Sequence, residues 1–328
     1  MTLSSSSAYW LRCALITFLL ASPLANALAQ TTYPTKPIQL VVPYPPGGSD
    51  VLPRRLVIGM AERLGQPIVV VNKPGASTQV ATSYIVSAPK DGYTLYFANP
   101  GELAAGPSLF KSLPFDALTD LTPITFVADA PLILVSTREL PAKTFADLTA
   151  LMRSNPQALK FASYGVQSQQ DVAARRFNLA LGTSIPVIPY QGGAPALNAI
   201  VRNEVQLLFP TMIPSRPFIV SGQMRAYAVA FDKRVPLYPD LPTLRELGID
   251  LVETGMFGIM GPKGIPQEVV TKIHDALVAE LKKPEIKQFL DGLGIIPVGS
   301  TPEAFAARLR EMTAHWAALS PKIGLEKQ

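Results

Sequence analysis

Cysteine is almost missing from this chain, with one residue, Cys13, in 328. Cys13 opens a short apolar run instead of following it, so it does not stand where a lipoprotein is cleaved. Beyond it there is no disulfide and no thiol nucleophile. Histidine is equally scarce: His274 and His315, both in C-terminal stretches of helical pattern. A Ser-His-Asp hydrolase needs an imidazole beside its nucleophile, and no G-x-S-x-G elbow occurs here. No spacing of His, Cys or carboxylates reads as a metal site, and Gly47-Gly48 is followed by neither the later glycine of a dinucleotide fingerprint nor a Walker lysine. An enzyme is therefore the weakest class, and no cofactor is implied. Charged residues make up 16% of the chain and the basic ones are scattered, which argues against nucleic acid. After the first thirty residues no run is apolar and long enough to cross a membrane.

What is present begins with residues 1–29. Arg12 supplies a positive start, Cys13 to Ala21 a short apolar run, and Ala25-Asn26-Ala27 and Ala27-Leu28-Ala29 small-x-small cleavage sites. This pattern predicts a secretory signal peptide cut after Ala27 or Ala29. Export of a chain without further cysteine fits the bacterial periplasm. The remaining chain of about 300 residues is long enough for two domains. The net charge of +5 changes only by Arg12 on cleavage and is compatible with anionic small ligands.

The most informative segment runs from Ile38 to Asp50: an apolar strand, a stiff Pro43-Tyr44-Pro45-Pro46 turn, the Gly47-Gly48 pair, and a helix beginning near Val51. Glycine lets the backbone turn its N–H groups outward, and the helix start adds unpaired donors and partial positive charge. Such a loop suits a carboxylate or a phosphate, although the same letters also make a plain strand-to-helix turn. Strand-like runs alternate with helical ones along the chain. They include Ile68–Val71, Tyr93–Ala98, Ile124–Ala128, Leu132–Ser136, Leu159–Ser163, Val187–Tyr190, Val205–Phe209 and Arg225–Ala230, and the run from Pro266 onward is helical. The alternation predicts an α/β fold of mostly parallel sheets flanked by helices. Four strand–loop–helix units stand out, at Pro43–Asp50, Asn72–Thr78, Ser163–Gln170 and Tyr190–Ala196, with Asn99 at a fifth strand end. In α/β folds ligands sit at the carboxyl ends of strands, so four such ends are expected to face one cleft. Ser168 starts a helix, as an N-cap serine does.

These segments resemble the Bug family, the periplasmic solute-binding receptors of tripartite tricarboxylate transporters. The resemblance runs from Tyr33 to about Ile323. It rests on Tyr33–Ile38, Val41–Ser49, Leu64–Pro67 with Asn72–Ala76, Pro89–Leu95, Pro189–Gly192 with Pro195–Leu197, Leu241–Thr243 with Glu246–Gly248, Gly261–Pro266 and Thr301–Phe305. It implies a two-lobed, Venus flytrap-like monomer: one lobe from residues 31–130 plus 254–328, the other from 131–253. It also implies a small carboxylate between the lobes, held by backbone N–H groups, hydroxyls and water instead of an arginine fork. Implied partners are the membrane subunits of a tripartite transporter; a periplasmic sensor domain is the alternative, since both would use the same closure.

Carried onto this chain, the resemblance places Tyr44, Gly47, Gly48 and Ser49 at the cleft. The family's Gly-Gly-Ser-Thr-Asp reads Gly-Gly-Ser-Asp-Val here, so Asp50 either caps its helix or enters the site. Ser77 and Thr78 replace glycines in the second loop. Ser163, Tyr164, Gly165, Gln167 and Ser168 form the third, and Asp171 with Arg175 is spaced for an i,i+4 pair. Tyr190, Gly192, Ala194 and Pro195 form the fourth. Lys73 reads as part of a structural Asn-Lys-Pro-Gly turn. Pro210-Thr211 stands where an aspartate is frequent; the lost acid favours a plain dicarboxylate or aromatic acid over an amino acid.

Overall fold

The computed structural model describes residues 33–47, 50–76 and 78–327. The expected signal peptide, Gly48, Ser49 and Ser77 lie outside the described residues. Lys36–Gln328 forms one unit, and the account below concerns it.

The apolar run Ile38–Val42 is β1, buried on both faces as a central strand must be. It pairs in parallel with β2 (Ile68–Asn72) and β3 (Thr94–Ala98). Helices α1 (Val51–Leu64) and α2 (Gln79–Val86) follow β1 and β2. The segment after β3, of mixed pattern in the sequence, is α3 (Pro100–Leu109) despite its Pro-Gly and Gly-Pro pairs.

β4 (Leu121–Thr137) is a single strand of 17 residues. As far as Pro131 it pairs antiparallel with β9 (Thr254–Pro262). From Leu132 it pairs antiparallel with β8 (Met224–Ala230), and Val135 and Ser136 with β7 (Leu207–Leu208). It thus runs through both halves of a ten-stranded sheet ordered β2-β1-β3-β9-β4-β7-β5-β6, with β8 and β10 (Ile296–Pro297) also on β4. In the second half β5 (Phe161–Ser163) pairs in parallel with β6 (Val187–Pro189) and β7. Parallel pairing therefore holds at the outer strands, whereas the strands that join the halves run antiparallel.

Helices α4 (Phe145–Ser154), α5 (Gln169–Leu181), α6 (Gly193–Val201) and α7 (Met212–Val220) belong to the second half. Thr144 and Asp147 close a reciprocal capping box on α4. The C-terminal run supplies α8 (Gln267–Leu281), α9 (Pro284–Leu293) and α10 (Pro302–Leu319), with Pro284 and Pro302 in the first turns of the last two.

One core lies between the first half of the sheet and α3 and α10, around Tyr96, Phe126, Met260 and Phe305. The second half has a core on each face. In one, Phe161 stacks on Phe209 at 5.9 Å and both meet the edge of Phe177. These contacts add to the burial term of three large side chains.

Candidate functional site

The carboxyl ends of β1, β2, β3 and β5 converge on a cavity of about 570 Å³. Its wall takes Pro43, Tyr44 and Pro45 from the loop after β1, and Pro74, Gly75, Ala76 and Thr78 from the loop after β2. Gly101, Glu102, Ala105, Leu109 and Phe110 come from α3 and its end, Tyr164 through Gln169 from the loop after β5, and Gln191 and Trp316 complete it. The N-termini of α2, α3 and α5 therefore open toward one space. Each brings partial positive charge, which favours an anion.

The loops hold strained backbone here. Ala76, Thr78 and Gln167 have φ of 44°, 70° and 64°. With Asn203 these are the non-glycine residues of positive φ among those described, and three of the four line this cavity. For a β-branched residue such as Thr78 the left-handed region is costly, and strain of this kind gathers at ligand clamps.

Of the residues expected at the cleft, Tyr44, Thr78, Tyr164, Gly165, Gln167 and Ser168 come together on this wall. Ser168 caps α5 by accepting from the Asp171 N–H at 3.3 Å. Asp171 accepts from Gln167 N–H and pairs with Arg175 at 3.0 Å, as the i,i+4 spacing suggests. The Tyr164 ring packs against Gly193, and its buried hydroxyl meets no hydrogen-bond partner among the described residues.

The other expected positions are placed differently. Gly47 takes φ of 97°, but its N–H donates to Asp50 Oδ1 at 2.7 Å, so it is not an outward donor in this structure. Asp50 is neither the expected cap nor a cavity residue. It is 2% exposed, and its side chain accepts from no backbone N–H of the first turn of α1. It clamps the loop instead, accepting from Gly47, from Arg54 at 2.8 Å and from Asn72 at 3.4 Å. Burial pushes its carboxyl up, but the bonds from Arg54 and Gly47 outweigh this and hold it below the ordinary aspartate value. Asn99 is buried and caps α3, accepting from the N–H groups of Gly101 and Glu102. Ser163 is fully buried at the end of β5, and its hydroxyl donates to the Gly165 carbonyl. Tyr190 packs against a core of the second half, Gly192 precedes α6, and Ala194 and Pro195 are exposed on its first turn. Thr211 stands at the start of α7. In the fourth loop it is Gln191 that reaches the wall. Lys73 sits 4.1 Å over the Tyr84 ring, away from the cavity.

Glu102 is the residue that the sequence reading passes over. It is the charged residue among the described lining residues, which include no Lys, Arg or His. Its Oε1 accepts from the Tyr44 hydroxyl at 2.9 Å and from Asn99 Nδ2 at 3.2 Å. Burial pushes its carboxyl up to about 7 from an ordinary 4.5, against the lowering effect of those two bonds. Burial, followed by the Glu102 charge, raises Tyr44 as well. A usable signal was present: Asn99-Pro100-Gly101-Glu102 places an N-cap residue, a first-turn proline and an acid at the third position. The lost acid after Phe209 is thus no guide to the charge of the cavity, because an acid enters from α3.

This raised carboxyl has a consequence for stability. Between about pH 4.5 and pH 7 the folded state holds a proton on Glu102 that the unfolded state has released, so stability falls as pH rises. The slope for one group is about 1.4 kcal/mol per pH unit; with its partial solvent contact, the total is on the order of 2 kcal/mol. Urea unfolding near pH 5 and pH 7 should show a larger loss in the native chain than in Glu102→Gln, which keeps only the contributions of the other raised carboxyls, Asp129 and Glu253. Equal pH dependence in both would contradict it.

A mixed sheet shared by two halves, with helix N-termini and hydroxyls turned toward one cavity, is an arrangement suited to binding a small anionic solute. Residues 52–325 match the family described as tripartite tricarboxylate transporter family receptor, and the chain belongs to that family. BugT of Bordetella pertussis is 32% identical over 310 residues, 94% of this chain and 95% of that one. The structure of periplasmic binding protein BugD is similar with a TM-score of 0.79 and 33% identity, covering 90% of this chain and 100% of that one. Rpa4515 from R. palustris, solved with adipate, gives a TM-score of 0.82 at 30% identity, with the same coverage. The matched family is one of receptors and BugD is a periplasmic binding protein; this chain is likewise a solute-binding protein and not an enzyme.

Proposed function

We propose that this protein captures a small carboxylate in the periplasm, after export on its N-terminal signal peptide, and delivers it to the membrane subunits of a tripartite tricarboxylate transporter. The lobes on either side of the ligand are residues 31–130 plus 254–328, and 131–253. The carrying observation is the cavity itself. Three helix N-termini and the Thr78 and Ser168 side chains line a space without arginine or lysine among its described lining, where Gln167 and Gln169 also stand with their amides donating to the Glu326 and Thr254 carbonyls. Amide and hydroxyl donors hold a carboxylate there, each worth roughly 1.5–3 kcal/mol toward a charged acceptor. Tyr44, Phe110, Tyr164 and Trp316 give the same wall enough aromatic surface for an aromatic acid as well as for a chain dicarboxylate. Adipate in Rpa4515 supports a carboxylate ligand of this size.

Trp316 supplies a direct readout. The sequence holds two tryptophans, Trp10 within the expected signal peptide and Trp316 on the cavity wall. Titration of the exported form with organic acids should therefore change tryptophan emission saturably. Emission that stays constant across chain and aromatic carboxylates would count against the reading.

A further inference from the structure

We propose that Glu102 selects the ligand by its second end, and that the ligand is a zwitterion carrying a protonated nitrogen for Glu102 apart from the carboxylate held by the amide and hydroxyl donors. This rests on the carboxylate-binding reading above and narrows it.

The geometry is one-sided. Both hydrogen bonds to Glu102, from Tyr44 and Asn99, end on Oε1. Oε2 accepts none from the described residues, and the residue lines the cavity. A partly buried carboxyl left without a cation is unfavourable, and nothing in the described lining supplies one. A ligand end is the source of such a partner that the lining leaves open. A second carboxylate would meet like charge there; an ammonium meets an acceptor with a vacant lone pair, beside aromatic faces that also attract cations. Tyr44 and Tyr96 are the titratable groups coupled to Glu102 on its own side. From α10, packed against α3, Arg308, Glu311 and His315 face a neighbouring cavity that shares Gly101, Gln169 and Trp316 and also holds the paired Arg176 and Glu253. Burial keeps Glu102 near the midpoint of its titration at neutral pH, so a cationic ligand end would draw it into the charged form.

The test uses matched probes that differ at one end: glutarate against 4-aminobutanoate, adipate against 5-aminopentanoate, and benzene-1,4-dicarboxylate against 4-(aminomethyl)benzoate. Calorimetric titration of the exported form near pH 8 should show an aminated member binding about tenfold or more tightly than its partner. That advantage should vanish in Glu102→Gln, and the affinity of the aminated ligand for the native protein should rise between about pH 6 and pH 8. Dicarboxylates that bind more tightly throughout, with affinity falling as pH rises, would overturn the inference and make Glu102 a proton donor to a second carboxylate. A preference that survives Glu102→Gln would overturn it too. Should that variant not fold, the pH dependence of the native protein decides alone, and a flat or falling affinity rejects the inference. If plain acids bind regardless of nitrogen, only this inference fails. If no acid of either kind binds, the carboxylate reading fails with it.

Discussion

Ser168→Asp is expected to lower affinity for a carboxylate ligand by about 100-fold or more while leaving the fold intact. Ser168 lies on the cavity wall and caps α5 through its hydroxyl. Aspartate caps as well as serine, so the helix keeps its first-turn partner and stability should change by less than about 1 kcal/mol. The new charge, however, faces the position proposed for the ligand's carboxylate. Two unit charges about 4 Å apart repel by about 4 kcal/mol at an effective dielectric of 20; screening by water reduces this to about 2.7 kcal/mol, which is 100-fold. Ser168→Asn has nearly the same shape and also caps, without charge, and should bind within about tenfold of the native protein. Equal losses in both variants would show that size and not charge is read at this position.

Arg308→Met is expected to cost about 3 kcal/mol of stability. Asp129 is 4% exposed, just before β4 passes from the first half of the sheet to the second. Its Oδ1 accepts from Arg308 Nη2 and from the Thr254 hydroxyl, each at 2.9 Å. Burial pushes the Asp129 carboxyl up, and Arg308 is the main opposing influence. Arg308 also lies 3.8 Å over the Phe126 ring. Methionine retains much of the stem's packing but leaves a carboxylate in a low-dielectric site without its cation, and removal of one partner of a buried pair costs about 3–5 kcal/mol. Arg308 is itself one-third exposed, which sets the expectation at the lower end. Urea unfolding measures the loss, and Asp129→Asn combined with Arg308→Met should recover part of it. A loss below about 1 kcal/mol would mean that water already screens the pair.

The legible parts of the fold were those where local pattern and tertiary role agree. Ile38–Val42 is an apolar run that becomes a central strand, and Ser168 is a capping letter that caps. The sequence hid elements wherever glycine and proline serve packing instead of turning. In β9, Gly258 is required because a Cβ there would meet Phe305 and Pro100. This leaves the run Thr254–Pro262 with three glycines and little strand signal. β4 continues through Ala130-Pro131, which reads as a break, because β9 pairs with it throughout. α3 contains Gly101, Gly106 and Pro107, yet its packing on α10 and its Asn99 cap make it a helix.

That missed helix is also why the site was read incompletely. The loops after β1, β2 and β5 are visible as strand–loop–helix junctions, so Tyr44, Thr78, Tyr164 and Ser168, which line the cavity, stand out in the sequence. Glu102, Phe110 and Trp316 reach the cavity through α3 and α10, which no junction motif announces. Asp50 is visible in the sequence but its role is not, because its carboxylate reaches back to the Gly47 N–H and across to Asn72 and Arg54, contacts that spacing alone does not announce.

Thermal unfolding of the refolded, ligand-free exported form against a panel of small organic acids tests the central claim most directly. A ligand at about 100 times its dissociation constant should stabilise the fold by about 2.7 kcal/mol, a rise of roughly 4 °C in Tm for a chain of this size. At least one small carboxylate should produce that shift in the native protein and fail to produce it in Ser168→Asp. A panel of chain, aromatic and aminated carboxylates that leaves Tm unchanged would contradict the account.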